Sequence, residues 1–300
     1  MKLLHIVKGE EIRLALSTEY GVLDVVQAGA AYQMPVAGTL KQLIVQGEKG
    51  LQTIESILHK AVRDNPDFFE QEETVVYGPS VDNPEKIICI GLNYINHAAE
   101  SKMAVPKEPI VFSKFSNALA AHNQPIVLPD LAVKYDYEAE LVIIIGKEAY
   151  KVSEEAAHEY IFGYTVGNDL SARDLQFKSG QWLIGKTLDG FAPVGPYVVP
   201  ANAVVDPHNL VIACQVNGET RQKANTKDMI FNCHTIISYL SQYMTLKPGD
   251  IIFSGTPDGV ILGYPEDRQM WLTAEDHVTV TIEGIGTLSN TLIAAACPVK

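Results

Sequence analysis

The stretch KYDYEAELVIIIG, residues 134 to 146, spaces three carboxylates two residues apart and runs them into an unbroken apolar segment. If it forms a strand, alternation sets Asp136, Glu138 and Glu140 on one face and Leu141, Ile143 and Ile145 on the other, with same-face neighbours roughly 6 to 7 Å apart. Carboxylates held so close and partly stripped of water destabilise one another, so a positive partner is expected. A further acid, Asp169, closes the apolar run in YTVGNDLSARDLQ, and strand ends are common places for sites. If Glu138, Glu140 and Asp169 converge, their all-oxygen set suits Mg2+ or Mn2+, whereas zinc prefers nitrogen or sulfur. Plainer readings compete: a solvated strand end, ion pairs to Lys134 or Lys147, or a charge-protected edge strand. For Asp169 the plain reading is an N-cap, and Ser171 to Asp174 also fits a capping box.

GQWLIGKT, residues 180 to 187, satisfies the phosphate-loop pattern G-x-x-x-x-G-K-[ST]. A true phosphate loop opens a helix, whereas the continuation LDGFAPVGP carries too much Gly and Pro to be helical, so no bound nucleotide is expected. Lys186 is then a surface lysine after a buried Trp182, or a charge serving another site. His97 and Glu100 in NHAAES stand at i and i+3, where an imidazole and a carboxylate on one helical face share a proton. On spacing alone such a pair more often decorates a surface.

The elements that must hold these residues divide at YGPSVDNPEK, giving units 1–78 and 79–300. The first reads as a small α+β domain, with apolar stretches LLHIV, IRLAL and GVLDVV followed by a helical pattern from Thr39 to Val62. The second reads as mostly β, with short runs such as KIICIG, ELVIIIG, YIFGYTVGN, LVIACQVNG, DIIFSG and HVTVTIEG. Helical patterns stand out there only in SEEAAHEYIF and DMIFNCHTIISYLSQYM. Apolar residues at 47% and charged residues at 20% fit an ordinary globular chain. The 23 basic residues against 36 acidic ones leave a formal charge of -13, which repels a phosphate backbone and argues against nucleic acid as a partner. Cys89, Cys214, Cys233 and Cys297 are scattered, without zinc spacing or a disulfide framework. No run is long enough to span a membrane, and reduced thiols suggest a soluble, cytoplasmic protein.

Between about Lys86 and Asn290 the chain resembles the fumarylacetoacetate hydrolase family. The likeness runs through IGLNYINHAAE, DYEAELVIIIG, FGYTVGNDLSARDLQ, GKTLDGFAPVGP, VNGETRQ, DMIF, MTLKPGDIIFSGTPDGV and GIGTLSN, in that order. It implies a β-roll of mixed, mainly antiparallel sheets with peripheral helices, usually a homodimer, with Mg2+ or Mn2+ held by Glu138, Glu140 and Asp169. It further implies that Lys186 offsets negative charge on the substrate, and that His97 and Glu100 activate water on a segment closing over it, with SKMAVPKEP as a mobile lid. Arg173, Gln176 and Thr256 match positions contacting a substrate's carboxylate or keto oxygen; outside the family they read as an exposed ion pair, a solvent-facing amide and a turn. The chain departs from the pattern at Phe115, where many members have Pro after the lysine. It departs again at Glu275-Asp276, where Gly-Asp is usual, and at SGTP, where TGTP is commoner.

The implied activity is metal-dependent cleavage of a carbon-carbon bond in a small 2-oxo acid. Hydrolysis of an acylpyruvate to pyruvate and a carboxylic acid ranks first. Oxaloacetate decarboxylation follows closely because it yields the same enolate, and isomerisation of an unsaturated 2-oxo diacid comes next. The non-enzymatic reading is a metal-stabilised binding protein.

Overall fold

The computed structural model describes residues 1–64, 68–100 and 103–295. Lys2–Lys8, Glu11–Thr18, Gly21–Asp24 and Phe69–Glu70 form an antiparallel sheet in that order. Asp24 ends the third strand and starts the helix Val25–Ala31, its carboxylate accepting from the Val26 and Gln27 N–H groups. The helical pattern after Thr39 resolves into two helices, Leu40–Gln46 and Glu48–Asp64, because Gly47 takes φ 58° and breaks the first.

The remainder is built on two larger sheets. One has six strands in the order Val199–Pro200, Ile161–Asn168, Ala139–Ile145, Ile251–Phe253, Ile87–Gly91, Ile110–Lys114, antiparallel except for one parallel pair. The other has five, Glu219–Asn225, Val211–Val216, His277–Ile282, Gly286–Ala294 and Ile126–Leu128, again with a single parallel pair. The architecture is the mostly β, α+β roll that the sequence implies.

Ala139–Ile145 is buried along its whole length, which explains the unbroken apolar run. Leu141, Ile143 and Ile145 belong to the core shared with Ile212 and Val280 of the five-stranded sheet and Ile236 of the helix Cys233–Tyr243. Val142 and Ile144 face the other way, into a cluster with Leu14, Leu43 and Ile57. One apolar core therefore crosses residue 78. His5 reinforces that junction: its Nε2 accepts from Leu40 N–H at 2.8 Å while Nδ1 lies 2.7 Å from the Pro79 carbonyl.

Two local expectations change. SEEAAHEYIF is helical only as a 3-10 turn at Ala157–Tyr160, since Ile161 pairs with Ile145 and draws the rest into the sheet. The later helix starts at Cys233, five residues into its pattern, where Asn232 caps the His234 and Thr235 N–H groups. Glu275, which stands where glycine is usual, does adopt a left-handed φ of 75°.

His122 joins the two units through an edge-on contact with Tyr77, ring centroids 4.7 Å apart, and its Nδ1 accepts from Ser289 N–H at 3.0 Å. Burial pushes this imidazole down from 6.5 to about 4. The unfolded chain thus binds the proton first, so the stabilising contribution is complete above pH 6.5 and is lost as pH falls toward 4. His122→Asn, which keeps an acceptor and cannot protonate, is expected to lose less stability between pH 7 and pH 4.5 than the parent in urea titrations; an equal loss would contradict this.

Candidate active site

The pairing of Ala139–Ile145 with Ile161–Asn168 assembles the acidic centre. Ala139 faces Asn168, so the next residue, Asp169, lands opposite Glu138. Two bonds fix that corner: Asp169 N–H donates to Glu138 O at 2.9 Å, and Glu138 N–H to Asn168 Oδ1 at 2.9 Å. Glu138, Glu140 and Asp169 each offer an oxygen within 4.8 Å of the other two. Their exposures of 5%, 2% and 0% exclude a solvated strand end, and the two strands they lie on or adjoin, Ala139–Ile145 and Ile161–Asn168, are internal to the sheet, which excludes an edge role.

The positive partners come from three separate segments. Lys186 Nζ lies 2.7 Å from Glu138 Oε2 and 3.0 Å from Asp169 Oδ2. Lys114 Nζ lies 2.6 Å from Asp169 Oδ1, and Arg173 Nη2 is 2.6 Å from Glu138 Oε1. Arg173 also donates from Nε to Asp136 Oδ2 at 2.9 Å and from Nη1 to Gln176 Oε1 at 2.9 Å. Among the described residues Glu140 has no such ion pair; its Oε2 accepts from Gly255 N–H at 2.6 Å.

The electrostatics follow from that asymmetry. Burial works against ionised Glu138, but Lys186 and Arg173 outweigh it and hold the carboxyl below the usual range. Burial and then the charges of Asp169 and Glu138 push Glu140 well above it. Burial lowers Lys114, whereas for Lys186 the nearby Asp169 and Glu138 overcome burial and raise it. Four buried carboxylates, counting Asp136, face three buried cations, and Glu140 carries the deficit. That deficit and the hard oxygen donors fit a divalent cation.

A cavity of about 590 Å³ opens over this centre, lined by His97, Glu100, Glu138, Glu140, Arg173, Gln176, Lys186 and Thr256. Eight of the nine expected site residues therefore converge there. Asp169 is fully buried and touches the site through the oxygens it shares with Lys186 and Lys114. Asp169 is no N-cap, and the capping box does not form: Ser171 Oγ donates to Asp169 O, and Asp174 accepts from Val133 N–H. Lys186 ends the short helix Leu183–Lys186 with its ammonium among carboxylates, in keeping with a non-nucleotide role.

His97 Nδ1 meets Glu100 Oε1 at 2.8 Å on the helix Ile95–Glu100. The other oxygen of Glu100 accepts from Gly259 N–H at 3.0 Å, and a Cβ on Gly263 would stand only 2.5 Å from the carboxylate, so the loop after Thr256 fixes its direction. Thr256 Oγ1 accepts from Gln222 Nε2 at 2.9 Å. Of the expected lid, Ser101 and Lys102 lie outside the described residues; Met103 lines the cavity.

Asp136 corrects the expected row of acids. The long strand does not extend back to it; Tyr135–Asp136 pairs instead with Ser171–Ala172. Its carboxylate binds Arg173 and accepts from Ile261 N–H at 2.8 Å and Leu262 N–H at 3.1 Å. Lys114 was legible only as a loop residue. Phe115 accounts for one departure from the family pattern, since its N–H donates to Thr187 Oγ1 at 2.7 Å, a bond proline lacks, tying the Lys114 segment to that of Lys186.

Fold and site together define a metal-dependent enzyme. Residues 86–293 match the family model described as fumarylacetoacetate (FAA) hydrolase C-terminal, and the chain belongs to that family. It is 52% identical over 218 residues to a fumarylacetoacetate hydrolase domain-containing protein 2 homolog of Dictyostelium discoideum, covering 69% of this chain and 71% of that one. It is 40% identical over 265 residues to the oxaloacetate tautomerase fahd2, mitochondrial, of Xenopus laevis, covering 88% and 81%. Among solved structures, a maleylpyruvate hydrolase from Sphingobium sp. SYK-6 in complex with manganese (II) ion and pyruvate superposes with a TM-score of 0.76 at 27% identity, covering 99% of this chain and 100% of that one.

Asp136→Asn keeps an acceptor for the loop but breaks one of the two buried ion pairs of Arg173, leaving it only Glu138. A loss of about 3 to 5 kcal/mol in unfolding free energy is expected from urea titration; a loss within 0.5 kcal/mol, roughly the size of a surface substitution, would contradict the pairing.

Proposed function

We propose that this enzyme interconverts the enol and keto forms of oxaloacetate. The observation that carries the reading is the placement of a proton-transfer pair, His97 and Glu100, on the same cavity as Arg173, Lys186 and the carboxylate cluster. The names of similar proteins support oxaloacetate as substrate and reverse the order drawn from the sequence, in which acylpyruvate hydrolysis came first.

Glu138, Glu140 and Asp169 would hold Mg2+ or Mn2+, which supplies Lewis acidity to the keto oxygen. Arg173 lines the cavity with its guanidinium plane fixed by Asp136, Glu138 and Gln176, and would present that planar fork to the substrate carboxylate. Lys186 stabilises the negative charge that develops on the C2 oxygen. The enol O–H bond breaks, a C3–H bond forms, and His97 with Glu100 moves the proton; nothing is oxidised. Decarboxylation of the keto form would instead break the C3–C4 bond, releasing carbon dioxide and leaving the enolate of pyruvate, whose negative charge falls on the same C2 oxygen beside Lys186.

Hydrolysis of an acylpyruvate remains the second reading, favoured by the His97–Glu100 contact, which also suits deprotonation of water. Two copies of the chain are part of the same proposal, supported by exposed Val111 on the edge strand and Phe115 just beyond it. The compartment is not set by the thiols: Cys89, Cys214 and Cys233 are buried, and burial keeps them protonated. The name of the Xenopus relative includes mitochondrial, and no helix among the described residues is long and apolar enough to cross a membrane.

The test follows enol loss, carbon dioxide release and pyruvate release in parallel, from oxaloacetate and acetylpyruvate, with Mg2+ or Mn2+ present. Faster enol loss from oxaloacetate is expected, with His97→Asn and Glu100→Gln lowering kcat about 10²- to 10⁴-fold and changing KM little. Pyruvate release from acetylpyruvate alone would overturn the assignment in favour of hydrolysis.

A further inference from the structure

The cavity is larger and more apolar than a four-carbon dicarboxylate requires. Its volume of about 590 Å³ falls in the range of roughly 300 to 1,000 Å³ typical of pockets for drug-sized ligands. Phe112 begins an aromatic wall directly beside the charged centre, its ring centroid 5.1 Å from Lys186 Nζ. Trp182 continues the wall, edge-on to Phe112 at 5.3 Å. Room for the indole is built into the neighbouring strand: a Cβ on Gly91 would lie 2.7 Å from Trp182 Cζ3. Leu262 and Tyr264 line the same cavity, and Phe177 and Met103 line it while 55% and 47% exposed. Large apolar side chains left open at the mouth of a charged pocket mark a surface that gains by covering.

We propose that the enzyme also tautomerises 2-oxo acids carrying an aromatic ring on C3, the arylpyruvates, with the ring seated against Phe112 and Trp182. The inference rests on the proposed function in requiring that a 2-oxo acid be enolised at this centre. The carboxylate and C2 oxygen occupy the positions that oxaloacetate would use, so C3 and its substituent extend along the wall. The step balances as before: the enol O–H bond breaks, a C3–H bond forms through His97 and Glu100, and no co-reactant is consumed. An aryl group buries its faces and packs in tilted or edge-on contact with the existing pair.

The test uses the Mg2+-loaded enzyme with phenylpyruvate as probe. Trp271→Phe leaves Trp182 as the sole tryptophan of the two in the chain. Its fluorescence is expected to report phenylpyruvate binding at least tenfold tighter than pyruvate binding, and the enol of phenylpyruvate is expected to decay faster with enzyme than without. Phe112→Ala, and Phe112→Leu as a milder variant, should raise KM for phenylpyruvate at least fivefold more than they raise KM for oxaloacetate. Turnover of oxaloacetate with neither binding nor turnover of phenylpyruvate would overturn this inference and leave the proposed function standing. Turnover of phenylpyruvate with none of oxaloacetate would do the reverse. Equal loss of both substrates in a folded Phe112→Leu variant would also overturn it, because a wall that merely supports the fold does not discriminate between them.

Discussion

The structure depends on a charge imbalance closed inside the protein. Asp136, Glu138, Glu140 and Asp169 are buried with Lys114, Arg173 and Lys186, and each cation contacts at least one of the acids. Such a cluster is costly to bury, and removing one partner costs more than the pair contributes. Its justification is functional: the one carboxylate without a cation, Glu140, is held by a backbone N–H beside the cavity. A site short of one positive charge, with three oxygens within reach, is prepared for a hard cation.

The surrounding elements serve to hold that cluster. The antiparallel register across Ala139–Ile145 and Ile161–Asn168 sets the acids opposite one another, and burial of the strand on both faces keeps the register from slipping. Asn93 fixes the turn that supplies the Gly255 N–H, donating to the carbonyls of Ser254 at 2.7 Å and Phe231 at 2.9 Å. Asp136 couples Arg173 to the loop at Ile261 and Leu262, and that loop in turn orients Glu100 through Gly259. The charge cluster, the loop and the His97–Glu100 pair are thus one connected arrangement.

Much of this was legible in the sequence where residue type and local spacing suffice. Glu138 and Glu140 stand two apart on an apolar run, and Asp169 ends another; strand geometry then brings them near one another. The Lys186 pattern was misleading only if read without its Gly- and Pro-rich continuation. What local pattern could not convey was long-range pairing. Asp136 shares the spacing of its neighbours, yet its partners are Arg173 and a loop far along the chain. Lys114 reads as a loop residue, and only the fold, which makes it the last residue of the edge strand Ile110–Lys114, carries its ammonium to Asp169. The helix expected around Ala157 failed for a related reason, because pairing with Ile145 outweighed local helical preference.

Calorimetric titration of the chelator-treated protein with Mn2+ and Mg2+, comparing the parent with Glu140→Gln, tests the central claim most directly. The account predicts one cation per chain for the parent and at least tenfold weaker binding for the variant, whose folded state without metal should melt no lower than the parent because a repelling carboxylate has been removed. Undiminished cation binding by a folded Glu140→Gln protein, or no binding by the parent, would contradict it.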